Sequence, residues 1–265
     1  MRICRYSFQE IVSFGVIDQL DDQGEIGSDT IILPLNGHPY GELEPQGQAI
    51  AAAEVKLLAP VLPSKIIGIG KNYADHAAEM GGDVPAEPLF FLKPNTSVIG
   101  PGEAIVLPPQ SELVHHEAEL AIVIGRFCKD VPRERVPEVI LGYTCANDVT
   151  ARDLQKRDGQ WTRAKGFDTF CPLGPWIETD LDTSDLAITA HVGPELRQSG
   201  TTQDLIFNVT EIVHYVSSNM TLLPGDVILT GTPAGVGPLV PGDEVEVEIE
   251  GIGTLINFVH SERTS

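Results

Sequence analysis

HHEAELAIVIG, residues 115–125, sets two histidines and two glutamates directly ahead of an apolar run. Side chains of an extended strand alternate between faces, so His115, Glu117 and Glu119 share one face while His116, Ala118 and Leu120 share the other. An arbitrary Glu-x-Glu belongs on a solvated edge strand, because glutamate is rarely buried. The apolar AIVIG that follows argues for the interior instead. Two like charges so close raise each other's pKa, and burying them unpaired would cost several kcal/mol. The stretch therefore demands something positive between its carboxylates.

A second acidic position in an apolar setting is Asp148 in LGYTCANDVTARDLQ, where a strand gives way to a helix. Such junctions are well placed to project a side chain into a cleft. Three oxygen-donor carboxylates, Glu117, Glu119 and Asp148, suit a hard divalent ion, Mg2+ or Mn2+, with positions left for water and substrate. Zinc would be expected to prefer His or Cys. Three carboxylates and one divalent cation still sum to a negative charge, so an anionic substrate requires nearby cations. Arg152, four residues after Asp148 on the expected helix, and Lys165 in TRAKGFDTF are the candidates. Either alone would more often be a surface charge.

His76 and Glu79 stand three apart after KIIGIGKNY, which places them on one helical face. A histidine held by a carboxylate is suited to taking a proton from water near neutral pH, although the same spacing also describes a solvated ion pair. TGTPAGVG, 230–237, lacks the G-x-x-x-x-G-K-[ST] phosphate-binding pattern, and GIGKNYAD is not G-x-G-x-x-G. A tight turn lining a pocket with Thr232 fits the former better. No G-x-S-x-G elbow supports a serine hydrolase.

Further out, IVSFGVID and TIILPL read as strands before the Pro-punctuated LLAPVLPSK, which marks a boundary between a small N-terminal domain, 1–60, and the remainder, 61–265. KIIGIG, AIVLPP and GDVILTG read as further strands, and DEVEVEIEGIGTLINFV as a hairpin turning at Gly251 to Gly253. Asn72 is expected to cap a short helix ended by Gly81 and Gly82. VPRERVPEVILGY, TARDLQKR and NVTEIVHYVSSN carry helical signals. Strands outnumber helices without the regular alternation of a doubly wound sheet, so the fold class is α+β, predominantly β.

With 265 residues the chain can bury a sizeable core. Its 17 basic against 38 acidic residues give a net charge of -21, which disfavours nucleic acid and anionic membrane surfaces as partners. The four cysteines form no C-x-x-C pair, MRICRYSFQE does not read as a secretory leader, and no stretch approaches ~18 apolar residues, so no membrane span is expected. Free thiols in a reducing cytoplasm are the expectation.

The chain resembles the fumarylacetoacetate hydrolase family over residues ~60–260. Six collinear motifs carry the resemblance: IIGIGKNYADHAAEMG, PLFFLKPNTSVIGPG, HHEAELAIVIG, GYTCANDVTARDLQ, WTRAKGFDTFCPLGPWI and LLPGDVILTGTPAGVGP. The resemblance implies a mixed β-sandwich roll, dimeric or larger, with Mg2+ or Mn2+ held by Glu117, Glu119 and Asp148. It implies His76 and Glu79 as a general-base pair on a lid segment. It places Lys165, Arg152, Gln155 and Thr232 around a small anionic 2-oxo acid. Decarboxylation of oxaloacetate or hydrolytic cleavage of an acylpyruvate is the expected activity, with isomerisation or decarboxylation of hydroxylated dienedioates as the alternative. A non-catalytic 2-oxo acid binder is the reading from a different class.

Overall fold

The computed structural model describes residues 1–21, 24–41, 43–79 and 84–262. Gly81 and Gly82, the expected helix terminators, lie outside the described residues. The N-terminal region is an antiparallel meander of β1 (Arg2–Phe8), β2 (Ile11–Asp18), β3 (Ile31–Pro34) and β4 (Ile50–Ala51). The outer edge of β1 is shared. Arg5 to Ser7 pair with β5 (Lys56–Leu58), and Arg2 and Ile3 pair with Glu178 and Ile177, so residues 1–60 continue a sheet built by the rest of the chain.

Next come β6 (Ile66–Gly70), the short helix α1 (Ala74–Glu79), and β7 (Leu89–Lys93), which returns antiparallel to β6. After β8 (Val98–Ile99) and β9 (Ala104–Leu107), the 115–125 stretch proves to be two strands, β10 (Val114–His115) and β11 (Ala118–Ile124). A 3-10 segment, Arg133–Glu138, leads to β12 (Ile140–Asn147), β13 (Thr150–Ala151), α2 (Arg152–Asp158) and α3 (Thr162–Lys165). The chain then forms β14 (Cys171–Glu178), β15 (Ala187–Val192), β16 (Glu195–Thr201), α4 (Val209–Asn219), β17 (Val227–Leu229), β18 (Glu244–Ile249) and β19 (Gly253–Ser261).

One sheet runs β4-β3-β2-β1-β14-β12-β11-β17-β6-β7, with β5 and β8 attached at β1 and β14; a second runs β16-β15-β18-β19-β9. Parallel pairs β17·β6, β14·β8 and β19·β9 among antiparallel ladders make the architecture mixed. Strand β11 explains the packing. Its even positions Ala118, Leu120, Ile122 and Ile124 join Trp176, Ile188, Val247 and Leu255 in the core between the sheets. Its odd positions Ala121 and Val123 join Leu173, Ile177 and Leu229 on the opposite face. Both faces are dry, and each such Ile or Leu contributes about 1.5–3 kcal/mol of burial.

Helix α4 forms where Asn208 and Glu211 make a reciprocal capping box, and it buries Val209, Ile212, Val213 and Val216 at helical spacing in the same apolar cluster as Leu120 and Ile122. Two local expectations differ. Asn72 does not cap α1: its amide donates to Phe207 O and Thr230 O at 3.0 and 2.7 Å and accepts from Phe207 N at 2.8 Å. VPRERVPEVILGY is helical only over its 3-10 half, because Pro137 cannot donate a helical hydrogen bond and the β-branched residues that follow pair with β11. No helix among the described residues is long and apolar enough to cross a membrane.

Candidate active site

The break between β10 and β11 falls at His116 and Glu117 and sets the site. Glu117 N donates to Asn147 Oδ1, and Asp148 N donates to Glu117 O, both at 2.9 Å. With Ala118 opposite Asn147 and Glu119 opposite Ala146, the β11·β12 ladder brings the three acids to one point. Ligand atoms of Glu117, Glu119 and Asp148 lie within 4.8 Å of one another, on residues at most 3% exposed. Glu119 Oε2 also accepts from Gly231 N at 2.6 Å. Glycine is required there, because φ is +101° and a Cβ would come within 2.8 Å of Asn72 Cβ.

The demanded positive charge is present threefold. Lys165 Nζ donates to Glu117 Oε2, Asp148 Oδ2 and Thr150 Oγ1 at 2.7, 2.6 and 2.8 Å. Arg152 pairs with Glu117 Oε1 through Nη2 and donates from Nη1 to Gln155 Oε1 at 3.1 Å. Lys93, at the end of β7, pairs with Asp148 Oδ1 and donates to Phe170 O at 2.8 Å. Lys93 is a site residue that the sequence pattern does not single out; its signal is a lysine directly after the strand-like run LFFL. Arg152 reaches the site by a different route from the expected four-residue helical spacing to Asp148. Helix α2 starts at Arg152, so Asp148 is not one turn back along it, and the guanidinium reaches Glu117 instead.

These charges explain the titration behaviour. Burial opposes ionisation of Glu117, but Arg152 and Lys165 outweigh it and hold its carboxyl well below the usual range. Burial likewise opposes the charge on Lys165, and Asp148 with Glu117 overcomes it, raising the ammonium's pKa. Glu119 goes the other way: burial, then Asp148 and Glu117, push it well above the ordinary glutamate value. Among the described residues, Lys165 and the Gly231 amide relieve that charge without overcoming the rise. A buried carboxylate short of positive charge, beside two more oxygen donors, fits a hard divalent ion.

Glu117, Glu119, Asp148, Lys165, Arg152, Gln155, Thr232 and His76 line one cavity of about 190 Å³; of the residues singled out from sequence, Glu79 is not on its wall. Glu79 stands behind His76, accepting from Nδ1 at 3.1 Å and, more weakly, from Gly235 N at 3.4 Å. His76 is 6% exposed, and with Nδ1 engaged by Glu79 its Nε2 is left for the cavity. Arg152 Nε is buried with no hydrogen-bond partner among the described residues. The apolar wall is Phe91 and Trp161, whose rings meet edge to face at 5.5 Å, with Lys165 Nζ 4.9 Å from the Phe91 centroid. TGTPAGVG contributes Thr232 to the lining, as expected of a pocket turn.

A buried carboxylate triad with matched cations and a carboxylate-held histidine, carried on the face of the large sheet opposite its packing with the second sheet, defines a class: mostly-β proteins with an acidic site fit for a divalent metal. The chain belongs to the fumarylacetoacetate hydrolase family. Residues 65–260 match the family model described as fumarylacetoacetate (FAA) hydrolase C-terminal, and residues 1–60 match an Rv2993c-like N-terminal model. The crystal structure of 5-carboxymethyl-2-hydroxymuconate delta-isomerase from Mycobacterium smegmatis is 51% identical, with a TM-score of 0.92 over 99% of this chain and 100% of that one. The human mitochondrial oxaloacetate tautomerase FAHD2A is 44% identical over 230 residues, 82% of this chain and 73% of that protein. Maleylpyruvate hydrolase from Sphingobium sp. SYK-6, solved with manganese (II) and pyruvate, is 31% identical, with a TM-score of 0.79 over 99% of this chain and 100% of that one.

Proposed function

We propose that this protein is a divalent-metal-dependent enzyme that converts a short anionic 2-oxo acid through its enolate, with oxaloacetate decarboxylation or acylpyruvate hydrolysis as the reaction. The observation that carries the reading is the convergence of the triad, Lys165, Arg152 and His76 on one cavity. Relatives named as an oxaloacetate tautomerase and a maleylpyruvate hydrolase, the latter solved with manganese (II) and pyruvate, support a 2-oxo acid as the substrate class. Mg2+ or Mn2+ held by Glu117, Glu119 and Asp148 would supply Lewis-acid stabilisation of that charge.

The chain's own residues do the remainder. Glu117, Glu119 and Asp148 are balanced by Lys93, Lys165 and Arg152, so the buried cluster is neutral by formal count before any ion or substrate enters. A bound divalent ion therefore leaves an excess of two positive charges, suited to a dicarboxylate. Arg152 Nε and the Thr232 hydroxyl offer hydrogen bonds to a carboxylate, and Phe91 with Trp161 excludes water from the opposite side. With oxaloacetate, the C3–C4 bond breaks, carbon dioxide leaves, and the electron pair stays as the pyruvate enolate. With an acylpyruvate, His76 takes a proton from water that attacks the acyl carbon, while Glu79 holds the imidazole and stabilises its charged form. The bond from that carbon to C3 breaks, the acyl group leaves as a carboxylic acid, and the electron pair stays as the pyruvate enolate, whose C3 takes up a proton.

Metal-loaded protein is assayed with oxaloacetate, acetylpyruvate, fumarylpyruvate and 2-hydroxyhepta-2,4-diene-1,7-dioate. Turnover of oxaloacetate or an acylpyruvate, abolished by chelator and restored by Mn2+ or Mg2+, is expected. Turnover of the dienedioate alone would replace this reading with the isomerase one, and metal-independent turnover would remove the ion.

A further inference from the structure

Behind Thr232 lies a residue outside the cavity lining. Gln198 of β16 is 0% exposed, and its carboxamide makes four contacts. Oε1 accepts from Ala118 N at 3.0 Å and from His116 Nδ1 at 2.9 Å; Nε2 donates to Pro233 O at 2.8 Å and to Thr232 Oγ1 at 2.7 Å. The orientation of the amide follows from the two backbone groups. Pro233 O can only accept and Ala118 N can only donate, so nitrogen and oxygen cannot be exchanged.

That orientation has a consequence at the cavity wall. The Gln198 Nε2–H occupies a lone pair of the Thr232 oxygen, so the threonine's hydrogen must go elsewhere, and the cavity is the side Thr232 lines. We propose that Gln198 is a positioning residue that fixes Thr232 as a hydrogen-bond donor to the substrate carboxylate. Ala118 N and His116 Nδ1 on the oxygen side and Pro233 O on the nitrogen side hold the amide in the orientation that serves Thr232. Four satisfied bonds in a dry environment hold it rigidly. The inference rests on the 2-oxo acid reading of the cavity and adds a residue that does not touch the ligand.

A double-mutant cycle tests it, using oxalate binding to Mn2+-loaded protein by calorimetry. Thr232→Val and Gln198→Met each should weaken oxalate by about tenfold or more, the range for a hydrogen bond to a charged group. Because Gln198 acts through Thr232, the double variant should match Thr232→Val rather than multiply the two losses. Mn2+ affinity without oxalate should stay within about twofold in Gln198→Met, which a collapse of the Glu117 strand would not allow. Multiplied losses, a Gln198→Met variant that binds oxalate as wild type does, or a large loss of Mn2+ affinity would each overturn the proposal. If Gln198→Met does not fold, Gln198→Glu serves: it keeps the oxygen used by Ala118 and His116, forfeits the donors, and should reverse the threonine hydroxyl, whereas undiminished oxalate affinity overturns the proposal. Wild-type protein that takes up Mn2+ but ignores oxalate would instead refute the 2-oxo acid reading, and this inference with it.

Discussion

Lys93 and Asp148 form an ion pair sealed from solvent, with side chains 0% and 1% exposed, at the end of β7 and just past β12. A buried pair gains little over apolar residues of the same shape, but removing one member strands the other. Lys93→Met leaves Asp148 with Lys165 as its remaining cation and should cost roughly 3–5 kcal/mol in urea unfolding of metal-free protein. Saturating Mn2+ should raise the melting temperature of the variant more than that of wild type, since the ion replaces part of the missing charge. Equal shifts would mean that Lys93 and the ion do not share Asp148.

Glu119 supplies the pH prediction for metal-free protein. Its folded-state pKa is raised, by burial first and then by Asp148 and Glu117, so the folded chain binds its proton more tightly than the unfolded one. The stability this group confers is complete below its unfolded value of about 4.3 and is lost as pH rises through the folded value. Glu117 is depressed, so its contribution is lost only on acidification below about 4.3. Acidification from about pH 7.5 to about 5 should therefore stabilise the metal-free wild type relative to Glu119→Gln, whose side chain does not titrate. At neutral pH the variant should be the more stable of the two without metal. Wild type should gain about 2.7 kcal/mol at a Mn2+ concentration of 100 times its Kd, and the variant should gain much less.

The triad was legible because acids interrupting an apolar strand conflict with the hydrophobic pattern, and such conflicts mark function. The β11, β17 and β18–β19 elements were legible because their apolar patterning is local. β14 was not: CPLGPWIE is broken by Gly174 and two prolines, and it becomes a strand only because β12 and β1 flank it. Lys93 and Gln198 were missed for a related reason. Each lies far in sequence from the groups it meets, 55 residues for Lys93 and 80 or more for Gln198 to Ala118 and His116. Asn72 was misread because its type matches a helix cap, while its partners Phe207 and Thr230 carry no local signal.

His76 separates the reactions that share the enolate. His76→Ala should lower hydrolytic cleavage of an acylpyruvate by ~10²-fold or more, the usual contribution of a general base. Oxaloacetate decarboxylation needs no water activated by this imidazole and should fall much less. Glu79→Gln keeps a hydrogen-bond partner for Nδ1 but removes the charge, so its hydrolytic loss should be smaller than that of His76→Ala. Steady-state kinetics with both substrates check this, and parallel losses in the two reactions would assign His76 to binding rather than to proton transfer.

Gly231 joins the turn to the acidic site, and two glycines with nearly the same backbone separate its effects. Gly231 has φ +101° and Gly242 has φ +99°, so alanine at either position should cost about 1–3 kcal/mol in backbone strain. At Gly242 a Cβ meets nothing within 4 Å, whereas at Gly231 it would lie 2.8 Å from Asn72 Cβ and 3.3 Å from Ile69 O. Asn72 cannot easily yield, because it is tied to Thr230 and Phe207. The turn must move instead, taking the Gly231 N–H from Glu119. Gly231→Ala should therefore lose more stability than Gly242→Ala in urea unfolding, and it alone should weaken Mn2+ binding in calorimetry. Equal stability losses with intact Mn2+ affinity would show that the turn adjusts without disturbing the carboxylate.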